Sequence, residues 1–245
     1  MITFTAQLKP MAENEKKLFL LDAFALIFRG YFALNANKGF NPVNSKGIDT
    51  SAVLGFTNTL IEVLQKQKPT HIAVVFDTAA PTSRHEEFAD YKAHRDETPD
   101  AIVVGVPYIK EIIRAFNIPV LESDGYEADD VIGTLAKKAE KEGFKTYMMT
   151  PDKDFGQLVS ENIFIYKPAR FGNEAEVMGV KEVCEKFEVQ HPLQVIDILG
   201  LQGDAVDNIP GIPGVGEKTA KQFIKEFGSV EELLKNTDKL KGKLK

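Results

Sequence analysis

The chain has 245 residues, 43% of them hydrophobic and 27% charged, with a formal net charge of −6. That length can bury a substantial core, as one large α/β domain or one domain with a small appendage. No apolar run approaches the roughly 18 residues needed to span a bilayer, and the acidic balance argues mildly against a nucleic-acid partner.

The first ten residues lack the charged-then-apolar layout of a signal peptide. Met11 is a more natural start, so residues 1–16 read as an unstructured or added leader. Beyond them, short apolar runs alternate with longer amphipathic ones, the pattern of a parallel sheet flanked by helices. Leu18–Leu21, Ile72–Phe76 and Thr146–Met149 read as buried central strands, with residues 162–166 as a fourth. Helices are expected near 24–34, 51–66, 101–116 and 127–141. In the last of these Ala128, Val131, Leu135 and Ala139 share a face, and Gly143 stops the helix. The single cysteine, Cys184, excludes an internal disulfide, fits a reducing cytoplasm and reads as a packed thiol.

Each predicted central strand runs into an acid: Asp22, Asp77, and Asp152 after Thr150-Pro151. In open α/β sheets the ligand crevice lies beyond the carboxyl ends of the strands, so these acids are expected to converge. Glu127, Asp129 and Asp130 fall in the first turn of a helix, with Glu127 and Asp130 on one face. Asp154 and the pair Asp204 and Asp207 complete nine carboxylates at structural junctions. Singly, such acids are ordinary caps and dipole partners. Gathered together they repel, at roughly 4 kcal/mol for two charges about 4 Å apart at an effective dielectric near 20. A fold that collects them calls for divalent cations, which points to a metal-dependent enzyme. Setting these nine aside from the 36 acids leaves 27 against 30 Lys and Arg, so the remaining surface is slightly basic.

Residues 78–100 are dense in charge and poor in aliphatics, a long loop directly after a strand of the expected site. In it Lys92 and Arg95 lie three apart, so one helical turn would aim both the same way. Farther on, Ile212 to Ala220 joins two helical stretches through a Gly-rich hairpin, followed by Lys218, Lys221 and Lys225. Glycines there let the backbone approach phosphate, and a helix start offers free N–H groups. It is not a nucleotide-binding P-loop, because Glu217 stands where that motif needs Lys and no buried strand precedes it. A helix–hairpin–helix clamp on backbone phosphates fits instead.

These motifs together resemble the 5′-nuclease domain of bacterial DNA polymerase I, within the wider flap endonuclease and 5′–3′ exonuclease family. The resemblance rests on Leu21-Asp22-Ala23 with Arg29, Phe76-Asp77, Arg84-His85 through Tyr91-Lys92-Ala93-His94-Arg95 and Tyr126 to Thr134. It continues through Asp152-Lys153-Asp154-Phe155, Gly203-Asp204 to Gly211, and the Pro213-Gly214-Val215-Gly216 hairpin. It runs from about Lys17 to Leu234.

The resemblance implies an α/β fold of the resolvase-like (PIN-like) kind: a nuclease core over 17–178 with an arch at 78–100, then a helical region over 179–245 with the helix–hairpin–helix. It implies that Asp22, Asp77, Glu127, Asp129 and Asp130 surround one metal and Asp152, Asp154, Asp204 and Asp207 another. Mg²⁺ is the expected ion, with Mn²⁺ able to substitute, because all-oxygen ligands suit hard cations; none of the four histidines has zinc-site spacing. Two such ions activate a water and stabilise the leaving oxygen of an in-line phosphodiester hydrolysis. Lys92, Arg95 and Arg29 would orient the scissile phosphate. Arg84, Gly214, Val215, Gly216, Lys218 and Thr219 would bind DNA, with K⁺ at the hairpin. The implied substrate is DNA with a 5′ flap, nick or 5′ end, including an RNA primer on DNA, cut by a cytoplasmic monomer with no membrane partner.

Two departures stand out. No polymerase module follows Lys245, which suggests a truncated fragment, and Thr150-Pro151 stands where many relatives carry Gly. A flap-binding module that does not cut, a PIN-type ribonuclease and a two-metal phosphatase are the competing readings. All nine acids being present argues against the first, the stretch 203–220 has no job in the second, and the third would leave Lys92, Arg95 and the hairpin unexplained.

Overall fold

The computed structural model describes residues 15–36, 42–169 and 174–240. The expected leader thus lies outside the described residues except for Glu15 and Lys16, as do the last five residues of the Lys-rich tail.

The fold is built on β1 (Lys17–Asp22), whose side chains alternate between two buried faces. Phe19 and Leu21 enter one core and Leu20 the other, so the strand reads as a continuous apolar run. α1 (Ala23–Asn35) and α2 (Ser51–Lys66) lead to β2 (His71–Val75), which pairs parallel with β1. The charged segment that follows holds only the short α3 (Ser83–Glu87) and turns; α4 (Asp100–Ala115) and the two-residue β3 (Val120–Leu121) complete this half. α5 (Ala128–Lys141) then carries the chain back past β1 to β4 (Lys145–Met149). A 3₁₀ turn (Asp154–Leu158), β5 (Ile163–Lys167) and an antiparallel edge strand β6 (Glu176–Met178) follow.

The strand order is β3-β2-β1-β4-β5-β6. Connections from β1 run one way to β2 and β3, and then reverse to β4. The reversal point therefore lies between β1 and β4, where ligand crevices form in such sheets. Register keeps the strand ends level: Asp22 faces Val75 of β2, and Leu21 faces Met149 of β4.

α1, α2 and α4 cover one face, burying Leu26, Ile27, Phe56, Leu60, Ile102 and Ile109 against Phe19, Leu21 and Val74. Each fully buried side chain of this size contributes about 1.5–3 kcal/mol. α1 and α2 cross at Gly30 and Gly55, so closely that a Cβ on Gly55 would lie 2.5 Å from the Gly30 Cα.

The other face carries α5 and the helical region: α6 (Val180–Phe187), α7 (Gln194–Gln202), a ribbon of β7 (Gly203–Asp204) and β8 (Ile209–Pro210), then α8 (Glu217–Phe227) and α9 (Val230–Lys235). Val183, Phe187, Val195, Ile198 and Ile224 share one core with Leu20, Val75 and Met148. Cys184 is half-buried in α6, and burial pushes its thiol up, as suits a packed group. No described helix is long and apolar enough to cross a membrane.

The four predicted strands and four predicted helices all form, within a residue or two of the expected bounds. β3, β6 and the β7–β8 ribbon were not expected, because two or three residues are too few for a period-2 pattern.

Candidate active site

The acids are set by the ends of the elements that carry them. Asp22 closes β1 and caps α1, accepting from the Ala25 amide at 3.1 Å; the Thr150 hydroxyl donates to its other oxygen at 3.0 Å. Asp77, just past β2, accepts from the Ala128 amide at 2.8 Å and so fixes the start of α5. Glu127 is the N-cap of α5, and Asp130 Oδ2 accepts from its amide at 3.1 Å, a reciprocal capping arrangement. Past β4, the Asp152 amide donates to the Thr150 hydroxyl at 3.2 Å, and Asp152 Oδ1 accepts from the Asp154 amide at 2.9 Å. Asp204 caps the ribbon turn through the Val206 amide at 2.8 Å.

Asp22, Asp77, Glu127, Asp129, Asp152, Asp204 and Asp207 line one cavity of about 480 Å³ beyond the carboxyl ends of β1, β2 and β4. Burial, with the neighbouring carboxylates Asp22, Asp152 and Asp77, pushes Asp129 up to about 8. Burial raises Asp22 to about 6, and burial with Asp152 and Asp204 raises Asp154 to about 6. Asp154 lines the adjoining cavity rather than this one, and its Oδ1 is buried with no hydrogen-bond partner. The cavity is therefore short of positive charge, and its donors are hard carboxylate oxygens.

Cations of the 78–100 segment and its surroundings meet part of this deficit. Lys92 Nζ lies 2.8 Å from Glu127 and 3.9 Å from Asp207, and Arg95 lies 2.7 Å from Asp207. The two converge as expected, but from a turn: Lys92 has a left-handed backbone (φ 58°), and its amide donates to the Asp207 carbonyl at 3.0 Å. The Tyr91 hydroxyl donates toward Glu127 and Asp207, and burial together with those carboxylates pushes its phenol up, so it stays a donor. Lys153 lies 3.3 Å from Asp204. Among the described residues no group of three or more acid, histidine or cysteine side chains already stands in metal-holding geometry. Lys92 and Arg95 sit against two of the acids instead.

Three further expected site residues stand outside the acidic cavity. Asp130 faces Arg84, whose guanidinium donates to both of its oxygens at 2.8 Å; this fork holds the carboxyl well below the usual range. Asp130 does not line the cavity of the seven acids, and both its oxygens take protein donors, so it braces the start of α5; Arg84 is engaged in the same fork. Arg29 stands apart from the acidic cavity, donating to the carbonyls of Pro168 and Ala169.

At the hairpin, Gly214 takes a left-handed turn (φ 85°) and Gly216 is the extended N-cap of α8. Val215 buries its side chain in the core, leaving only its backbone outward. Lys218 is exposed and Thr219 half-buried at the first turn of α8. Lys218, Lys221 and Lys225 line a common cavity of about 590 Å³, although Lys221 is drawn to Glu217 at 2.8 Å. α7 does not lead straight into the hairpin; the β7–β8 ribbon intervenes.

Thr150, Tyr91 and Asn208 bear on the site without having been assigned a part in it. Asn208, also left-handed (φ 57°), donates from its amide side chain to the Asp90 carbonyl at 2.8 Å and ties the ribbon to the middle of the 78–100 segment. Tyr91 and Asn208 lie inside the motifs quoted above, and Thr150 directly follows β4; that adjacency was the available signal.

A profile of the 5′-3′ exonuclease N-terminal resolvase-like domain matches residues 17–188, and one of the 5′-3′ exonuclease C-terminal SAM fold matches residues 190–245. A 5′-3′ exonuclease of Aquifex aeolicus is 45% identical over 224 residues, 91% of this chain and 74% of that protein. DNA polymerase I of Bacillus caldotenax is 42% identical over 93% of this chain, which spans only 25% of that relative. In fold the chain is similar to T5 5′-exonuclease bound to zinc, with TM-score 0.71 at 22% identity over 93% of this chain and 81% of that one. It is also similar to the flap endonuclease-1 of Methanococcus jannaschii, with TM-score 0.59 at 19% identity over 90% and 74% of the two chains. Profile matches along nearly the whole described chain, and a relative at 45% identity, place the sequence: the chain belongs to the 5′-3′ exonuclease family and is an enzyme that hydrolyses phosphodiester bonds.

Proposed function

We propose that the chain is a structure-specific 5′–3′ exonuclease and 5′-flap endonuclease, acting as a cytoplasmic monomer on DNA with a 5′ flap, nick or 5′ end. An RNA primer annealed to DNA falls within the same substrate class, which suits primer removal and repair. The observation that carries this reading is the convergence of seven carboxylates with Lys92 and Arg95 in one cavity at the sheet's reversal point.

The donor set fits divalent cations of the hard kind, Mg²⁺ first and Mn²⁺ as substitute. Asp22, Asp77, Glu127 and Asp129 would hold one, and Asp152, Asp154, Asp204 and Asp207 the other; the raised Asp22, Asp129 and Asp154 carboxyls are groups that gain from added positive charge. Bound there, such ions supply an activated water and charge for the leaving oxygen.

The chain's own residues do the positioning. Lys92 and Arg95 exchange their carboxylate partners for the scissile phosphate, neutralising it as charge develops. Tyr91, kept protonated, stays on Glu127 and Asp207 and keeps those acids in place. The hairpin at Gly214–Thr219 offers backbone amides and Lys218 to the duplex backbone, and its backbone would hold K⁺, which would add positive charge beside the phosphates. The ribbon and hairpin favour this reading over a PIN-type ribonuclease, which needs neither.

The test is a 5′-labelled flap substrate beside its blunt-duplex control, incubated with Mg²⁺ and then with EDTA. Mg²⁺-dependent cutting at the flap junction is the expected outcome. Tight binding with no cutting at any Mg²⁺ level would replace the nuclease reading with that of a binding module.

A further inference from the structure

The acidic cavity does not end at the metal acids. A second cavity of about 630 Å³ lies beyond it, and the two share Glu127, Asp129, Asp152 and Asp207. Lys92 lines the first and Tyr91 the second, so two consecutive residues present one side chain to each. The shared acids thus border both cavities.

One wall of the second cavity is α5. Asp130, Thr134, Lys137, Lys138 and Lys141 line it, at spacings of four, seven, eight and eleven residues, which is one helical face. At 1.5 Å per residue this face runs about 16 Å outward from the acids. Its charge grows along its length: the Asp130 end is neutralised by Arg84, and the residues lining the far end are lysines. Lys137 Nζ donates to the Leu158 carbonyl at 2.9 Å and stands 3.8 Å from Glu140, whereas Lys138 and Lys141 are exposed.

We infer that this face of α5 is the track for the unpaired 5′ strand, holding its backbone phosphates at Lys138 and Lys141 after it has passed the acids. The inference rests on the flap-cutting reading and adds the path of the strand. The ligand is single-stranded nucleic acid read by charge alone, since the face carries lysines and no aromatic ring on which a base could stack. The duplex has its own candidate surface at the hairpin, whose lysines line a separate cavity.

The experiment compares the full chain with its Lys138→Ala/Lys141→Ala double variant on a nicked duplex bearing either a minimal or a long 5′ flap. Affinity is measured across a salt series, alongside single-turnover cutting. The expected result is several-fold weaker binding of the long flap, with its salt slope reduced by about 1.4, the value for two single-strand phosphate contacts. The minimal flap should bind and be cut as before, and Lys138→Arg/Lys141→Arg should restore the long flap. Equal weakening of both substrates would overturn the inference in favour of a duplex contact, and an unchanged long flap would overturn it outright. Binding is read whether or not cutting occurs. A wild type that cuts neither flap would therefore sink the nuclease reading, while the salt slopes still judge the track.

Discussion

Arg84 and Asp130 form a two-pronged pair, both contacts at 2.8 Å, that joins the 78–100 segment to the first turn of the helix carrying Glu127 and Asp129. Because Asp130 Oδ2 also accepts from the Glu127 amide, the fork sets where Glu127 and Asp129 stand without reaching the cavity of the acids.

Asp130→Asn should therefore lower stability by about 1–2 kcal/mol, the scale of a lost charged cap, and leave the half-saturating Mg²⁺ concentration for cleavage nearly unchanged. Thermal unfolding and a metal titration of activity check this. A large rise in the Mg²⁺ requirement would make Asp130 a ligand after all.

Lys92→Ala should reduce single-turnover cleavage by about 10²–10³-fold, as for loss of one donor aimed at developing charge, while flap affinity changes far less. Removing the ammonium also frees Glu127 and Asp207 of a competing cation, so the Mg²⁺ requirement should not rise. Equal losses in cleavage and binding would make Lys92 a phosphate anchor only.

The pH dependence follows from Asp129 at about 8 and Asp22 and Asp154 at about 6, all above the ordinary aspartate value of 3.8. Folded protein holds these protons more tightly than unfolded chain, so without metal their contribution to stability falls as pH rises from about 4 to about 8. The melting temperature in EDTA should decline across pH 5 to 8, and added Mg²⁺ should raise it most at the upper end. A melting temperature that climbs with pH in EDTA would contradict the crowded-carboxylate picture.

The α1–α2 crossing gives a test confined to the scaffold. Gly55→Ala places a methyl 2.5 Å from the Gly30 backbone and should cost about 1–3 kcal/mol or more by overpacking. Gly200→Ala in α7, with open space around it, should be neutral or stabilise by up to about 1 kcal/mol. Denaturant unfolding of the two variants separates close packing from a general intolerance of alanine.

Much of this was legible beforehand because strand ends are. A buried strand that runs into Asp22 or Asp77 announces both its face and its terminus, and the sheet's reversal point does the rest. Asp130 was not legible. An acid three residues into a helix looks the same whether it caps, pairs or ligates, and its partner Arg84 lies 46 positions away. Thr150 stood out only as a departure from Gly, yet its hydroxyl bonds Asp22 and receives the Asp152 amide. A hydroxyl's partners depend on which strand lies next to its own, and a single strand's pattern does not carry that. The Asn208 bond to Asp90 likewise needs the ribbon folded against the 78–100 segment.

The central claim is that the acidic cavity does the cutting, and Asp129 is its most strongly perturbed member. The most direct measurement is single-turnover cleavage of a 5′-labelled flap by Asp129→Asn in Mg²⁺, with flap affinity measured in parallel. The account predicts cleavage reduced by about 10³-fold or more with affinity largely kept, in line with the loss of a group on which transition-state charge stabilisation depends. Unchanged turnover would remove Asp129 from the active site and contradict the account.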